Sequence, residues 1–413
     1  MKKVYFKTFG CRTNLFDTQV MMSRLKDFEI VLDEESADIV VINSCTVTNG
    51  ADSGVRNYVN KINRAGKKLY FTGCGVYHQG GELFSKRKVL GVFGHSHKES
   101  INELLKEENF FKEGNLEHLD TTIVEKFIGK SRAFIKIQEG CNFECNYCII
   151  PSVRGKARSQ DENLIIKQIK ELSQKGFSEF ILTGTNSGSY GVDKNSSIAK
   201  LLQKIILIDG VKRVRLGSLE PSQIDDELIE LLHEEKIAKQ LHIAIQHSHD
   251  KMLEIMNRRN RVQTDIALFE KIASKNVAIG TDYIVAHGGE TKEIFKDAIT
   301  NLKNYPLTHI HTFIYSKRDN TKSALMKIET DGNEAKERLK IVEEIVKEKN
   351  IAFRKNIKDK LSVLVESKHD DGIYNGFDQF YNKMFIKSNK EIKNSWQQIE
   401  NYEVRDETNF AEI

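Results

Sequence analysis

The chain is 413 residues long, with 63 Lys and Arg against 59 Asp and Glu and a net charge of +4. That length allows about two or three domains and a core that needs no disulfide staples, and the charge is too small to point to nucleic acid without a local patch. No run of about 18 apolar residues occurs, and Lys7 interrupts the opening MKKVYFKTFG before a signal-like apolar segment develops, so neither a membrane span nor a secretory leader is expected.

A cytoplasmic chain keeps its thiols reduced, so six cysteines read as metal ligands or catalytic groups. With only three prolines and no low-complexity tract, boundaries have to come from element patterns. The first part of the chain alternates strand and helix. KVYFKTFG (3–10), ADIVVINS (37–44) and KLYFTG (68–73) are rich in Val, Ile, Tyr and Phe and predict strands, with helices over 15–28 and 51–65. Parallel strands joined by crossover helices give an α/β domain of the flavodoxin or Rossmann-like class. Cys11, Cys45 and Cys74 each follow one of these strands. Carboxyl ends of parallel strands share one edge, so thiols spaced 34 and 29 residues apart should converge into a three-thiolate site. A single such cysteine would read as a buried small hydrophobe.

Residues 106–132 are charged and weakly periodic and predict a linker, which puts the first domain at 1–110 and the crossing at 111–132. Strand-like runs then begin near 134, 179, 213, 241, 279 and 309, separated by helical segments that include 161–175, 222–236, 263–275 and 291–304, with a final long helix over 333–352. Six βα units predict an open, partial (β/α)6 TIM-like barrel over 133–353, with active groups at the strand carboxyl ends. Beyond 355 the pattern alternates with Gly and Asp breaks and predicts a small β-barrel-like domain over 354–413. Lys383, Lys387, Lys390 and Lys393 there could form a basic patch, although a solvated face is the plainer reading.

In EGCNFECNYCII, Cys141, Cys145 and Cys148 have C-x3-C-x2-C spacing. Structural zinc takes four protein ligands and cubane clusters usually four cysteines, so three thiolates leave one metal position open for a substrate or cofactor. The same spacing on a helix would make one buried stripe, but Gly140, Asn142 and Pro151 flank it with loop formers.

This spacing, with Tyr147 before the third cysteine, resembles the radical S-adenosylmethionine (SAM) superfamily. The resemblance implies a 4Fe-4S cluster whose open iron is chelated by the amino and carboxylate groups of SAM, and reductive cleavage to a 5′-deoxyadenosyl radical. Nearly all of the chain resembles the methylthiotransferases of that superfamily, through FGCRTN (9–14), INSCTVTNGAD (42–52), FTGCG (71–75), GCNFECNYCIIPSVRGKARS (140–159), ILTGTNSGSYG (181–191), RLGSLEP (215–221) and IGTDYIVA (279–286). This implies that Cys11, Cys45 and Cys74 hold an auxiliary 4Fe-4S cluster and that the last domain is an RNA-binding TRAM module. It also implies two uses of SAM: one methylates a sulfur carried on the auxiliary cluster, the other removes a hydrogen from an unactivated carbon before the methylthio group is inserted. A reducing donor of flavodoxin or ferredoxin type accompanies such chemistry; no membrane partner is expected and the oligomeric state is left open.

The segment CTVTNGAD from Cys45 resembles the branch acting on N6-threonylcarbamoyladenosine at position 37, so the anticodon stem-loop of tRNA is the expected partner and carbon 2 of that base the expected target. The alternatives are an isopentenyladenosine tRNA or ribosomal-protein aspartate methylthiotransferase, and a non-catalytic metal-cluster protein. The resemblance also places Thr183 and Gly184 where backbone contacts the SAM amino group. Glu220 and Gln246 could meet SAM polar groups; Arg154 and Arg158, with Lys156, SAM or tRNA phosphate; Arg258, Arg259 and Arg261 form another basic group. The chain departs from the family at QHSHD (246–250), AHGGE (286–290) and YSKRDN (315–320). His247, His249 and His287 introduced there read as loop or hydrogen-bonded histidines rather than metal ligands.

Overall fold

A computed structural model describes residues 1–413. Where apolar runs recur in the first part, six parallel strands form: β1 (Lys2–Thr8), β2 (Phe28–Ile30), β3 (Ile39–Ser44), β4 (Lys68–Gly73), β5 (Gly91–Phe93) and β6 (Phe110–Lys112), in the order β2-β1-β3-β4-β5-β6. Every residue of β3 is buried, as a central strand covered on both faces requires. Helices α1 (Arg12–Arg24) and α2 (Asn49–Arg64) follow β1 and β3. Thr48 caps α2, its Oγ1 accepting from the Ala51 amide at 3.1 Å.

The linker expectation fails at both of its ends. β6 lies inside the charged stretch and is the last strand of the first sheet, and only Phe110 of its three residues is buried, so an edge strand hides in polar sequence. Farther on, Val124 and Phe127 enter the core of the second part, so the crossing is packed rather than free.

The second part has β7 (Ala133–Glu139), a two-residue β8 (Arg158–Ser159), β9 (Glu179–Gly184), β10 (Arg213–Leu216), β11 (Gln240–His242), β12 (Ala278–Val285) and β13 (His309–Ile314). Apart from β8, which runs antiparallel along β7, these are the six expected parallel strands. Between β10 and β11 the ladder thins to single parallel bridges, Val214–Ile237 and Leu219–Ile243, and the sheet curls into an incomplete barrel ending on β13. Helices cover it at 162–174, 198–205, 262–273 and 292–302; the one expected over 222–236 is confined to 226–231. The long helix Gly332–Asn356 packs on β13. Phe16 and Val20 of α1 share the core of 46 residues with Ile135, Ile137 and Ile181 of the barrel strands, so the first sheet is seated against β7 through α1.

The last part is a curled sheet of β14 (Leu361–Asp370), β15 (Ile373–Phe377), β16 (Lys383–Lys387), β17 (Trp396–Ile399), β18 (Glu403–Val404) and β19 (Asn409–Glu412), antiparallel except for β16 against β19. Ala278, at the foot of β12, belongs to its core. No helix of the chain is long and apolar enough to cross a membrane.

At the foot of the barrel, Glu179 receives Arg213 Nε and Arg215 Nε, each at 2.7 Å, with Arg132 at 3.7 Å. Both outer guanidiniums reach on to carbonyls of the last sheet, Arg213 to Ser362 and Arg215 to Asp378. Burial opposes ionisation of Glu179, but Arg215 and Arg213 hold its carboxyl at about 2, below the ordinary 4.5. Its stabilising contribution is therefore complete above pH 4.5 and is lost as pH falls toward 2. Replacing Glu179 with Ala leaves buried cations unpaired and should cost ~3–5 kcal/mol. A lowered urea midpoint at neutral pH, with a smaller further drop on acidification than the parent shows, is the expected result.

Candidate active site

Three short loops at the carboxyl ends of β1, β3 and β4 carry Cys11, Cys45 and Cys74. These strands are paired directly, Thr8 beside Asn43 and Ser44 beside Gly73, so register alone brings the cysteines to one edge. Gly10 adopts φ +91°, and a Cβ there would fall 2.5 Å from Cys45 Cβ, so only glycine lets the first loop approach the second. Asn14 ties the same two loops, its Nδ2 donating to Phe9 O at 2.8 Å and Ser44 O at 2.9 Å. Ser44 Oγ donates to Thr72 O and accepts from the Gly75 amide at 3.0 Å, tying the second loop to the third. Cys45 and Cys74 are buried and Cys11 exposed, so the triplet opens to one side. Burial, with Cys74 and Cys11 nearby, pushes the Cys45 thiol up to about 12; burial also raises Cys74, against the pull of Arg154.

The second triplet sits in the loop after β7. Gly140, at φ +73°, opens this loop where a Cβ would strike Lys156 O at 2.0 Å. Cys141 Sγ accepts from the Phe143 amide at 3.4 Å and from Asn186 Nδ2 at 3.7 Å; Cys145 Sγ accepts from Arg258 Nη1 at 3.7 Å. Asn146 Nδ2 and Asn257 Nδ2 pin the loop across to the segment after β11, donating to Ile255 O and Glu144 O at 2.8 and 2.7 Å. Burial pushes the Cys148 thiol up to about 12, and the other two cysteines add to the rise. Thiols gathered this way stay protonated unless a cationic core is brought to them, and a cluster liganded by thiolates is such a core. Six sulfurs in two sets of three, with N–H donors reaching a sulfur in each set, fit two 4Fe-4S clusters with one open position each.

Arg154 joins the two sites. The expectation that it meets SAM or tRNA phosphate gives way to a buried guanidinium, 2 % exposed, whose Nε donates to Cys74 Sγ at 3.2 Å. Its Nη1 donates to Asp17 at 3.0 Å and to Glu139, and its Nη2 to Asn14. Ile149 and Val153, immediately beyond Cys148, pack on Cys74 itself. Around Asp17 the network continues through Lys98 at 2.5 Å and Lys136 at 2.8 Å, and Lys136 also holds Asp120 and Glu139 at 2.6 and 2.9 Å. Three carboxylates thus face three cations out of water. Despite burial, Lys136, Lys98 and Arg154 keep Asp17 well below the usual carboxylate range.

A second strap crosses from the end of β13. Arg318, buried, donates to Thr46 O at 3.1 Å, to Asp52 at 2.6 Å and to Asn49 Oδ1. The signature CTVTNGAD is therefore largely an inter-domain socket. From the sequence, Arg154 is expected at SAM or tRNA phosphate and Arg318 figures only as part of the unmatched YSKRDN, so neither strap is foreseen. The available signal was α1, whose buried positions include the polar Asn14, Asp17 and Thr18.

The other expected site residues are placed as follows. Tyr147 packs against Met252, Met256, Ile284 and Tyr315 behind the second triplet. Thr183, next to last in β9, pairs with Lys136, and Gly184, which ends the strand, lies against Gln138, where a Cβ would be 2.9 Å from Oε1. Glu220 pairs with Arg258, which also donates to Ala244 O at 2.5 Å, so Arg258 is an internal residue beside Cys145 rather than part of a free basic group. Arg259 lies over the Phe143 ring at 4.6 Å and Arg261 donates to the carbonyls of Arg258 and Asn260. Gln246, at φ +67°, is tied by its backbone to Asp282 and Ile284 of β12. Arg158 spends its donors on carbonyls of His118, Arg154 and Lys156. His249 caps the helix after it, His247 stacks on Tyr283 at 5.2 Å, and His287 bonds Gly288 O and Ser323 Oγ.

A partial barrel with a three-cysteine loop after its first strand defines a radical SAM protein, and residues 135–302 match the Radical SAM superfamily. Residues 3–94 match a family described as uncharacterized, UPF0004. A Helicobacter pylori (strain ATCC 700392 / 26695) protein provisionally named a methylthiotransferase is 57% identical over 417 residues, covering 100% of both chains. The threonylcarbamoyladenosine tRNA methylthiotransferase of Aquifex aeolicus is 35% identical, covering 87% of this chain and 91% of its own. The ribosomal protein uS12 methylthiotransferase of a Thermoanaerobacter species is 32% identical, covering 95% of each. Among solved structures, a radical SAM methyltransferase from Kitasatospora setae shares the fold at a TM-score of 0.61 and 13% identity, over 79% of this chain and 77% of its own. The chain belongs to the radical SAM methylthiotransferase family, whose cofactors are 4Fe-4S clusters and SAM.

If Arg154 fixes the spacing of the two triplets, its loss should be felt at the first. Replacing Cys141, Cys145 and Cys148 with Ala should leave about half of the reconstituted iron, held by the other triplet. Adding Arg154→Leu to that chain should lower the iron retained per polypeptide and the thermal midpoint together, since it removes a buried cation worth ~3–5 kcal/mol to its partners.

Proposed function

We propose that this chain inserts a methylthio group at carbon 2 of N6-threonylcarbamoyladenosine-37 in the anticodon loop of tRNA, in the cytoplasm. The observation that carries the reading is the contact of the two triplets: the residues after Cys148 pack on Cys74 and Arg154 donates to its sulfur. A radical centre and a sulfur carrier have to serve one substrate carbon, and chemistry of that kind needs reacting groups held in fixed proximity. The substrate branch is supported by the Aquifex aeolicus relative and by the likeness of CTVTNGAD to that branch.

When bound, the clusters and SAM supply an electron, a deoxyadenosyl radical and a sulfur. The chain's own residues do the holding. Cys141, Cys145 and Cys148 grip one cluster and Cys11, Cys45 and Cys74 the other. Glu220 and Arg258 stand beside Cys145, where the polar groups of SAM would be met, with Tyr147 walling the loop from behind. Over the whole reaction the C2–H bond breaks and a C2–S bond forms. The hydrogen leaves in 5′-deoxyadenosine, the first SAM's C5′–S bond breaking to release methionine, and the methyl comes from a second SAM, which leaves as S-adenosylhomocysteine. A flavodoxin- or ferredoxin-type donor supplies the electron, and the curled last sheet is the face offered to RNA.

The test is nucleoside mass spectrometry on tRNA treated with the reconstituted protein, SAM and dithionite. The expected product is 2-methylthio-N6-threonylcarbamoyladenosine, with 5′-deoxyadenosine formed alongside. Modification confined to isopentenyladenosine, or to a ribosomal protein, would replace the substrate; absence of 5′-deoxyadenosine would remove the activity.

A further inference from the structure

The holding residues above leave one group of polar side chains on the barrel unused. His242, Asp282 and His311 come from β11, β12 and β13, and one ligating atom of each lies within 4.8 Å of the other two. Asp282 Oδ1 is 3.1 Å from His242 Nε2 and 3.4 Å from His311 Nδ1, and the two imidazoles stack with centroids 5.1 Å apart. At Gly280, between the two strands, a Cβ would lie 3.1 Å from His242 Nδ1 and 3.3 Å from His309 Cβ, so a side chain there would crowd the His242 ring by a few tenths of an ångström.

Strand alternation shows where this group faces. Ala278, Gly280, Asp282 and Ile284 share one face of β12; Ala278 belongs to the core of the last sheet, and Ile284 to the cluster around Tyr147. The face carrying Asp282 therefore runs from the proposed RNA-binding sheet to the second cysteine triplet. On β13, His311 pairs with Asp282 and Phe313 with Ile284, so Phe313 lies one step nearer the cysteines on that same face. β13 is the terminal strand of the barrel sheet, and its other side is under the long helix, where Thr312 donates to Glu343. The His311 side chain is 63% exposed and Phe313 39%. An open aromatic ring beside fixed imidazoles, at the unpaired edge of a barrel, suits a flat base drawn out of its loop.

We propose that Phe313, His311, Asp282 and His242 form the subsite for the N6-substituted adenosine, the base stacking on Phe313 and the polar substituent meeting the imidazole edge. The assignment of the substituent rests on the substrate reading given above. Asp282 Oδ1 lies 3.4 Å from His311 Nδ1, and in the tautomer that carries its proton on Nδ1 the other ring nitrogen, Nε2, is an acceptor. The ureido N–H and hydroxyl of a threonylcarbamoyl group can donate to it, whereas an isopentenyl group has nothing to donate. A site built to hydrogen-bond a substrate discriminates against analogues that lack the group.

The experiment uses the reconstituted full chain and fluorescent anticodon stem-loops carrying N6-threonylcarbamoyladenosine, N6-isopentenyladenosine or plain adenosine. The parent should hold the first most tightly. Phe313→Ala should weaken it about tenfold, as loss of one stacking platform does, and His311→Phe should erase the preference among the loops. RNA-free cleavage of SAM by dithionite-reduced enzyme should be unchanged in both. Unaltered affinities, or a parallel loss of RNA-free SAM cleavage, would overturn the subsite. A parent that prefers the isopentenyl loop would overturn the substituent contact together with the substrate reading. That failure is distinguishable, because Phe313→Ala would still weaken binding of the preferred loop.

Discussion

A guanidinium taken wholly out of water is tolerable only if each of its nitrogens finds an acceptor. Arg154 meets this condition with partners from two parts of the chain. Asn14 and Asp17 come from α1, Cys74 from the loop after β4, and Glu139 from the end of β7. The partners are themselves committed, since Asp17 also holds Lys98 and Lys136, and Lys136 holds Asp120. Removing any single charge strands the others in low dielectric, so the network forms as a unit or not at all. The first sheet and the barrel therefore cannot settle against each other at an arbitrary distance. The separation of the two cysteine triplets is spanned by the Arg154 side chain, and Arg318 ties the same two parts together through Asp52.

What could be read from the residues follows the reach of local pattern. Cys11, Cys45 and Cys74 could be brought together because each ends an apolar run, and parallel strands put their carboxyl ends on one edge whatever the loops do. The six barrel strands were legible for the same reason. β6 was not, because an edge strand buries one residue in three and its neighbours are free to be charged. The helix expected over 222–236 shrank to 226–231 because Leu228 and Ile229 are its two buried residues, and one turn suffices to bury them. Arg154 was misplaced for a deeper reason. With Lys156 and Arg158 nearby, it reads as one of a group of loop cations for SAM or tRNA phosphate, and nothing in a run of charges tells which one has an anion waiting in another domain. That information lies in Asp17, more than a hundred residues earlier.

The departures at QHSHD and AHGGE make sense as one rebuilt pocket. His247 stacks on Tyr283, His287 lies across Tyr315 at 4.5 Å and edge-on to Tyr147 at 6.4 Å, and Glu290 between them is held by Arg338 at 3.1 Å. Arg338 comes from the long helix that also covers β13, so the wall behind Tyr147 is braced from outside the barrel. Histidines here fill space and order neighbours; each packs on an aromatic ring. The change alters the support of the cysteine loop and leaves its sulfur geometry to Gly140, Asn186 and Arg258.

The three parts of the chain are tied to one another about the barrel, and the contacts say which of its sides is free. Tyr381 of the last sheet accepts from Arg12, the neighbour of Cys11, and lies over Arg215 at the barrel foot at 5.0 Å. The foot is closed there by Glu179 and its arginines, one flank by α1 and the Asp17 network, and the rim by the Arg318 strap. Each closure is made by a buried ion pair that cannot open without stranding its partner. The remaining edge, β13, ends the ladder with His311 and Phe313 exposed, short of the Arg318 strap that crosses beyond its end. For the RNA substrate proposed above, delivery of one base to a point between the two cysteine triplets would disrupt least along that edge, at whose lower end the curled sheet lies.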